Sequence, residues 1–160
     1  MRKVVLGLVS FMLVFSFANA GKLDFSEYGF NMDSFSKAEQ TDDNYQIVQL
    51  AKPISENGFV TNANVIIQKF EGTMKEYFEV SNEGFKFFDD FKTISSKYDD
   101  KVALWEYTAS FDGQTIHFVS KAFLVKEKGL IYLVTAASGE DDWKKDEKDV
   151  RRVVDSFKLK

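Results

Sequence analysis

The sequence contains no cysteine, a single proline and a single histidine among its 160 residues. Without cysteine the fold uses no disulfide, even in an oxidising compartment, and thiol chemistry is excluded. The same absence excludes the acylated N-terminus of a bacterial lipoprotein. With only His117 available, a histidine-rich metal site and a mechanism with paired imidazoles are excluded as well.

Motifs that bind cofactors are also missing. The chain has no P-loop, no GxGxxG and no CxxC, and no nucleophile-elbow pattern. We therefore expect no cofactor and a protein that is not an enzyme. The alternative within this class is a hydrolase built on His117 and neighbouring carboxylates, with Ser110 or Ser120 nearby in sequence. The alternation of residues 114–126 favours a structural histidine with satisfied hydrogen bonds.

Residues 1–20 have the layout of a cleaved secretory signal. Arg2 and Lys3 precede an apolar stretch that ends at Ala18, and Ala18 and Ala20 supply the small residues at the −3 and −1 positions. The apolar stretch is shorter than the roughly 20 residues that cross a bilayer. The pattern predicts export, most simply to the periplasm, with cleavage after Ala20 and one domain over 21–160.

The chain that remains after cleavage is acidic. It has 19 basic and 25 acidic residues, a net charge of −6, and its basic residues are interspersed with acids. Such a surface disfavours nucleic acid and anionic headgroups as primary partners. No apolar run of membrane length follows the signal, so no membrane span is expected in the mature chain.

Short alternating or apolar runs predict seven strands. They are 25–32, 45–51, 64–70, 91–98, 101–111, 114–126 and 130–137. Residues 36–44 are predicted to be a loop, and Pro53 to Gly58 a break. Asp112-Gly113 predicts a two-residue hairpin turn of type I′.

A helix is predicted from Thr73 to Phe91, because apolar residues occupy one broad side of a 3.6-residue period over five turns. Phe85 and Phe88 lie well inside that side and are expected in the core. Phe78 and Phe87 lie near its opposite margins, where a partner could cover them, so they are the candidate partner-binding residues. Gly84 is a candidate bend or break.

A second helix is predicted over 138–157, with Ser138 as its N-cap and an inward stripe of Trp143, Val150, Val153, Val154 and Phe157. Two helices are needed because residues 130–137 are apolar on both faces. The predicted fold class is α+β, a mostly antiparallel β-sheet sandwiched between two helices.

The acidic start of this helix is a candidate cation site, formed by Glu140, Asp141, Asp142 and Asp146. Hard cations take six to eight oxygen ligands, and no EF-hand spacing gathers them here. The alternative interpretation is charge that complements the helix dipole.

Two stretches resemble the PsbP-like superfamily: "NANVIIQKFEGTMKEYF" (62–78) and the run from "LWEYTASFDGQ" to "DSF" (104–157). That superfamily includes the photosystem II extrinsic protein PsbP, a eukaryotic Ran-binding import factor, and DcrB-like and LpqN-like envelope proteins. The resemblance is one of apolar spacing and turns, without a catalytic signature. It implies a non-enzymatic αβα module that binds a protein partner or envelope assembly.

Two further functions remain alternatives. The chain could carry a small apolar ligand or lipid between its first helix and the sheet, or it could be the hydrolase described above.

Overall fold

The structure is a computed structural model that describes residues 18–19, 22–25, 29–33, 37–43, 46–53 and 59–160. Apart from the short strand at Ala18–Asn19, the predicted signal peptide, including Ala20, lies outside the described residues. The strands are β1 (Ala18–Asn19), β2 (Lys22–Phe25), β3 (Phe30–Asp33), β4 (Lys37–Asp43), β5 (Gln46–Ala51), β6 (Asn62–Lys69), β7 (Asp89–Tyr98), β8 (Val102–Phe111), β9 (Gln114–Val125), β10 (Leu130–Gly139) and β11 (Lys158–Leu159); the helices are α1 (Met74–Phe85) and α2 (Glu140–Ser156).

Within these ranges eight strands form one antiparallel sheet in the order β1-β4-β5-β6-β10-β9-β8-β7. A smaller sheet has the order β11-β3-β2. The long strands β8, β9 and β10 are neighbours, joined by short turns. Asp112 and Gly113 turn β8 into β9 with positive φ values of 49° and 79°, as the predicted type I′ turn requires.

The two helices cover opposite faces of the large sheet. On β10, Ile131 belongs to the hydrophobic cluster under α1, whereas Tyr132 and Val134 belong to the cluster under α2. Side chains alternate between faces along a strand, so these assignments put one helix on each side. The predicted α+β class and the sandwich of a sheet between two helices are confirmed.

The C-terminal helix packs as predicted, but it starts later. Val150, Val153, Val154 and Phe157 are buried, and Glu140–Ser156 is the helix. Ser138 was expected to be the N-cap, and this is wrong. It lies in β10, its side chain bonds Asp146 on α2, and Gly139 stands at the cap position without a side-chain hydrogen bond.

The N-terminal predictions needed the most correction. Residues 25–32 were predicted as one strand, but β2 and β3 pair with each other across this stretch, with Phe25 opposite Phe30. The predicted loop 36–44 contains β4, which pairs with β5. Backbone pairing with a neighbouring strand holds this polar segment extended, and a hydrophobic pattern cannot reveal such pairing. The rest of the predicted break after Pro53, residues 54–58, lies outside the described part.

The first helix is shorter than predicted. It begins correctly, with Thr73 and Glu76 forming a capping box. It ends at Phe85, and β7 starts at Asp89, where pairing with β8 replaces the helical hydrogen bonds. Phe88 and Phe91 therefore reach the same aromatic layer from a turn and a strand. None of the helices in the described part is long and apolar enough to cross a membrane.

Candidate functional site

Aromatic rings fill the layer between α1 and the sheet. Phe78 stacks on Trp105 of β8 with ring centroids 5.2 Å apart, and Phe85 stacks on Tyr107 at 4.8 Å. Phe88 contacts Phe85 and Phe111. Offset-stacked and edge-to-face ring pairs contribute about 0.5–1.5 kcal/mol each beyond the area they bury. The rings therefore hold α1 on the sheet although several are only half-buried.

The polar atoms of these rings have partners. The Trp105 Nε1–H donates to Asn82 Oδ1 on α1 at 2.9 Å, and the Tyr77 hydroxyl donates to Gln68 on β6 at 2.7 Å. Burial raises the pKa of Tyr77 to about 12, so its hydroxyl stays a neutral donor at physiological pH. Both hydrogen bonds fix the position of α1 relative to the sheet.

Phe87 is the exception in this layer, with 87% of its surface exposed. It lies in the turn between α1 and β7, whose backbone is closed by bonds from Lys86, Phe87 and Phe88 to carbonyls of residues 83–85. Phe85 and Phe88 on either side of it point into the aromatic layer. The turn therefore presents a large apolar side chain to solvent from a backbone that is itself hydrogen-bonded.

The surroundings of Phe87 are acidic. Three segments meet at this end of the sheet: 83–90, the β8–β9 turn at 111–114, and the start of α2 at 139–143. We call this surface the acidic end. Its charged side chains are Lys86 and the carboxylates Glu83, Asp89, Asp90, Asp112, Glu140, Asp141 and Asp142. Lys86 lies 2.6 Å from Glu83 and forms an ion pair with it. The other charged side chains of these segments are all carboxylates, and the next cation along the chain is Lys144 in α2.

The structure separates the two candidate partner-binding residues. Phe87 is exposed, as a binding role requires. Phe78 does not lie at a free margin, because it is packed between Trp105 and Tyr98. Val80, another apolar residue of α1, is 67% exposed. The inward face of α1 is centred on Met74, Tyr77, Phe78 and Phe85, so the predicted apolar side is wider than the sheet covers.

The four carboxylates of the candidate cation site are not gathered together. Glu140 contacts His117, whereas Asp146 is buried at the other side of α2 and contacts Lys52 and Thr61. Glu140, Asp141 and Asp142 line one cavity of about 310 Å³ beside Phe59, and Asp146 is not part of its lining. In the described ranges no group of three or more His, Asp or Glu side chains is arranged to hold a metal ion.

His117 lies between two carboxylates on the α2 face. Its Nδ1 is 2.9 Å from Glu140 and its Nε2 is 2.9 Å from Glu106 on β8. Trp143 stacks on the ring with centroids 3.5 Å apart, and only 4% of His117 is exposed. Carboxylates accept hydrogen bonds, so a ring that carries a proton on each nitrogen satisfies both contacts.

Arg151 extends this network. Its guanidinium donates to both carboxylate oxygens of Glu106, at 2.8 and 3.2 Å, and lies over the Trp143 ring. Burial opposes the ionisation of Glu106, but hydrogen bonds from Arg151 and His117 outweigh it and hold the pKa of Glu106 below its usual value. The network ties the start and middle of α2 to β8 and β9.

The serines near His117 in sequence do not form a catalytic pair with it. Ser120 faces the α1 side and bonds Thr135, and the Ser110 hydroxyl donates to Asp90. Both nitrogens of His117 are within hydrogen-bonding distance of carboxylates. The expected satisfied structural histidine agrees with this geometry.

A second polar cluster, which the sequence did not reveal, surrounds Asp146. The Asp146 carboxylate accepts hydrogen bonds from Thr61 and Ser138 and contacts Lys52 Nζ at 3.1 Å. Lys52 also pairs with Asp149 at 2.9 Å. Burial raises the pKa of Asp146, but the hydrogen bonds from Thr61 and Lys52 outweigh it, so the net pKa is lowered. The only sign of this cluster in the sequence is that Asp146 lies one helical turn before Val150, on the inward stripe of α2.

Compared by sequence, neither a protein-family model nor a curated protein matches the chain. Compared by structure, it is similar to cyanobacterial PsbP (CyanoP) from Synechocystis sp. PCC 6803. The TM-score is 0.64 at 15% identity, over 97% of this chain and 99% of that chain.

Two other structures give similar values. The Ran-binding protein Mog1p of Saccharomyces cerevisiae matches with a TM-score of 0.62 at 7% identity, over 90% of this chain and 96% of that one. LpqN of Mycobacterium tuberculosis, involved in cell envelope biogenesis, matches with 0.65 at 8% identity, over 88% and 84%. Identities this low show the fold: the chain has the PsbP-like fold, and the resemblance noted in its sequence is confirmed at that level.

Proposed function

We propose that this chain is a non-enzymatic, protein-binding module with the PsbP-like fold, and that it docks through the acidic end with Phe87 as its anchor. The observation that carries the proposal is the exposure of Phe87, 87%, on a hydrogen-bonded turn with Glu83, Asp89 and Asp90 close to it in sequence. Buried aromatic anchors dominate the energy of many protein interfaces. A turn whose backbone is already ordered loses little conformational freedom on binding.

The charge defines the chemistry of the partner. A surface that accepts Phe87 needs an apolar socket, and the carboxylates around it favour lysines or arginines at the rim of that socket. Such pairing accelerates association and is weakened by salt. A structural neighbour, Mog1p, is a Ran-binding protein, which supports binding as a role for this fold.

Photocrosslinking tests the docking site. A photoreactive phenylalanine analogue would replace Phe87 in one variant and Tyr98 in a matched control, since Tyr98 is a 45% exposed aromatic at the other end of the sheet. We expect one partner to crosslink near stoichiometry from position 87 only. That crosslink should be lost in high salt and in the presence of excess unmodified protein, whereas excess Phe87→Ser protein should compete poorly. The same set of proteins from both positions would refute docking at the acidic end.

The place of action is proposed from residues 1–20 together with LpqN, which is involved in cell envelope biogenesis. The chain would be exported, cleaved after Ala20, and act as one domain over 21–160 in the periplasm. Fractionation of cells and N-terminal sequencing test this. The mature protein should begin at Gly21 in the periplasmic fraction, and an intact Met1 in the cytoplasm would contradict it.

A second candidate function is the binding of a small apolar ligand or lipid. The space between α1 and the sheet, where the sequence placed such a ligand, is filled by the rings of Tyr77, Phe78, Phe85 and Trp105. An apolar groove at the opposite end of the sheet from Phe87 nevertheless favours this function. Native mass spectrometry of the freshly purified chain would show a bound ligand as added mass.

A further inference from the structure

A groove of about 700 Å³ opens at the end of the sheet opposite the acidic end. It lies between the first turn of α1, the β7–β8 turn, the end of β9 and the C-terminal strand β11. Small-molecule sites in proteins typically enclose about 300–1,000 Å³, so this groove has the size of a ligand site. Apart from Thr73 and Tyr98, the residues that line it fall into two chemical classes.

The first class is apolar and forms the walls. Met74 is buried and Leu124 is half-buried, and both belong to the hydrophobic cluster under α1. Val125 and Leu159 pack against the cluster under α2. The groove therefore touches the hydrophobic layers of both faces at the point where the sheet ends. An apolar chain lying there would continue a surface that the protein already removes from water.

The second class is charged and lies at the rim. It comprises Lys75, Lys101 and Lys126, together with Asp100 and Glu127. Lys75 pairs with Glu79 at 3.8 Å, but both side chains are mostly exposed, so that pair holds Lys75 only weakly. The backbone of Lys101 is fixed, because its N–H donates to Asp99 and its carbonyl accepts from Leu124. Lys101 and Lys126 thus stand on adjoining turns at one rim of the groove.

This rim contrasts with the rest of an acidic protein. At the acidic end the charged groups are nearly all carboxylates, whereas the groove is lined by three lysines and two carboxylates. Lysine side chains can lay their methylene stems along an apolar surface and keep the ammonium in water. The arrangement is complementary to a molecule with an apolar chain and an anionic head.

We propose that the groove binds a single-chain anionic amphiphile of the fatty-acid class, with its chain against Met74, Leu124, Val125 and Leu159 and its carboxylate at Lys101 and Lys126. The proposal rests on the second candidate function, since it names the ligand class for that function, and it is independent of docking at the acidic end. Each methylene transferred from water to the groove strengthens binding, and the lysines distinguish an anionic head from a neutral or cationic one.

Titration of the full purified chain with three dodecyl probes below their micelle concentrations tests the proposal. The probes are dodecanoate (anionic), dodecyl maltoside (neutral) and dodecyltrimethylammonium (cationic), and binding is followed by methyl NMR. We expect dodecanoate to bind at least tenfold more tightly than the other two. The methyl signals of Met74, Leu124, Val125 and Leu159 should shift, with those of Ile116 at the opposite end of β9 unchanged.

A charge-reversal pair supplies the control. Lys101→Glu with Lys126→Glu should weaken dodecanoate binding about tenfold or more, whereas Lys92→Glu with Lys148→Glu, which changes two exposed lysines away from the groove, should not. Equal binding of all three probes in the groove would overturn the fatty-acid assignment and leave the second candidate function standing. Shifts confined to other residues, or no binding, would overturn both.

Discussion

α2 and α1 cover opposite faces of one sheet, but they contact it through different kinds of side chain. Under α2 the core is built of fully buried aliphatic residues such as Val65, Val134 and Val150, together with Phe30 and Phe157. Two polar networks, around Asp146 and around His117, fasten the helix at several points along its length. Under α1 the contacts are mostly half-buried aromatic rings, and Phe87 beyond the helix is not covered.

The contacts of the two faces therefore suit different roles. Buried networks with satisfied partners hold a helix in a single position, which suits the α2 face to a structural role. Half-buried rings next to an exposed one provide area that a partner can extend. The α1 face and the acidic end beside it are therefore where we expect recognition.

The largest effect should come from breaking the α2 side at Asp146. In Asp146→Ala the hydroxyls of Thr61 and Ser138 lose their acceptor, and Lys52 loses one of its two carboxylates. We expect the free energy of unfolding to fall by about 3 kcal/mol in urea titrations. Asp149→Ala is the matched control, since it also removes one carboxylate from Lys52 but at a less buried site, and should cost about 1 kcal/mol. Equal losses in the two variants would mean that burial of Asp146 has no special role.

Truncating a side chain on the α1 side should lower the free energy of unfolding by less. Phe85 contacts Trp105, Tyr107, Phe88 and Phe91, but it is only partly buried. Phe85→Ala should lower the free energy of unfolding by about 2–3 kcal/mol, below the usual range for a fully buried phenylalanine. Chemical denaturation followed by tryptophan fluorescence measures it, because Trp105 lies in the same cluster. A loss as large as that of a fully buried phenylalanine would contradict the contrast between the two faces.

Whether the sequence predicted a feature depends on the kind of interaction that forms it. The stripe Val150, Val153, Val154 and Phe157 repeats with helical period, so α2 and its core were predictable. β4 was not, because its polar residues Lys37–Asp43 are held by pairing with β5. The end of α1 was also missed, since Phe88 and Phe91 keep the helical phase while lying in a turn and a strand.

The candidate site was predicted in part for the same reason. The exposure of Phe87 agrees with a position at the margin of the apolar period, but a period cannot show that Phe78 would be covered by Tyr98 from β7. The Asp146 cluster joins residues from β10, α2, the segment after β5 and Thr61, which directly precedes β6. Only the tertiary structure brings such distant residues together.

Low pH should weaken the contacts of the α2 face more than those of the α1 face. The pKa values of Asp146, Asp149 and Glu106, all on the α2 side, are lowered by hydrogen bonds that outweigh burial. Because the folded pKa of Asp146 lies below its ordinary value of 3.8, the unfolded chain takes up the proton first as the pH falls. The stability that Asp146 contributes is complete above its unfolded pKa and is lost as the pH falls through the folded pKa.

Urea titrations between pH 6 and about pH 2 measure this loss. The decline in the free energy of unfolding should become shallower below pH 4 in Asp146→Asn. Glu79→Gln, which removes an exposed carboxylate on the α1 side that pairs only with the exposed Lys75 at 3.8 Å, should leave the curve close to that of the wild type. If the two variants have the same pH profile, the acid sensitivity does not come from the α2 network.

The smallest change in the free energy of unfolding is expected for a substitution of Phe87. This substitution gives the sharpest test of the contrast between the two faces. Its ring is 87% exposed, whereas its neighbour Phe88 packs on Phe85 and Phe111. Phe87→Ser should change the free energy of unfolding by no more than about 0.5 kcal/mol, as for an ordinary surface substitution, while Phe88→Ser should cost several times more. Thermal unfolding of the two variants measures the difference. A negligible loss would leave Phe87 available as the proposed anchor, whereas a large loss at Phe87 would return it to the core and remove the anchor from the acidic end.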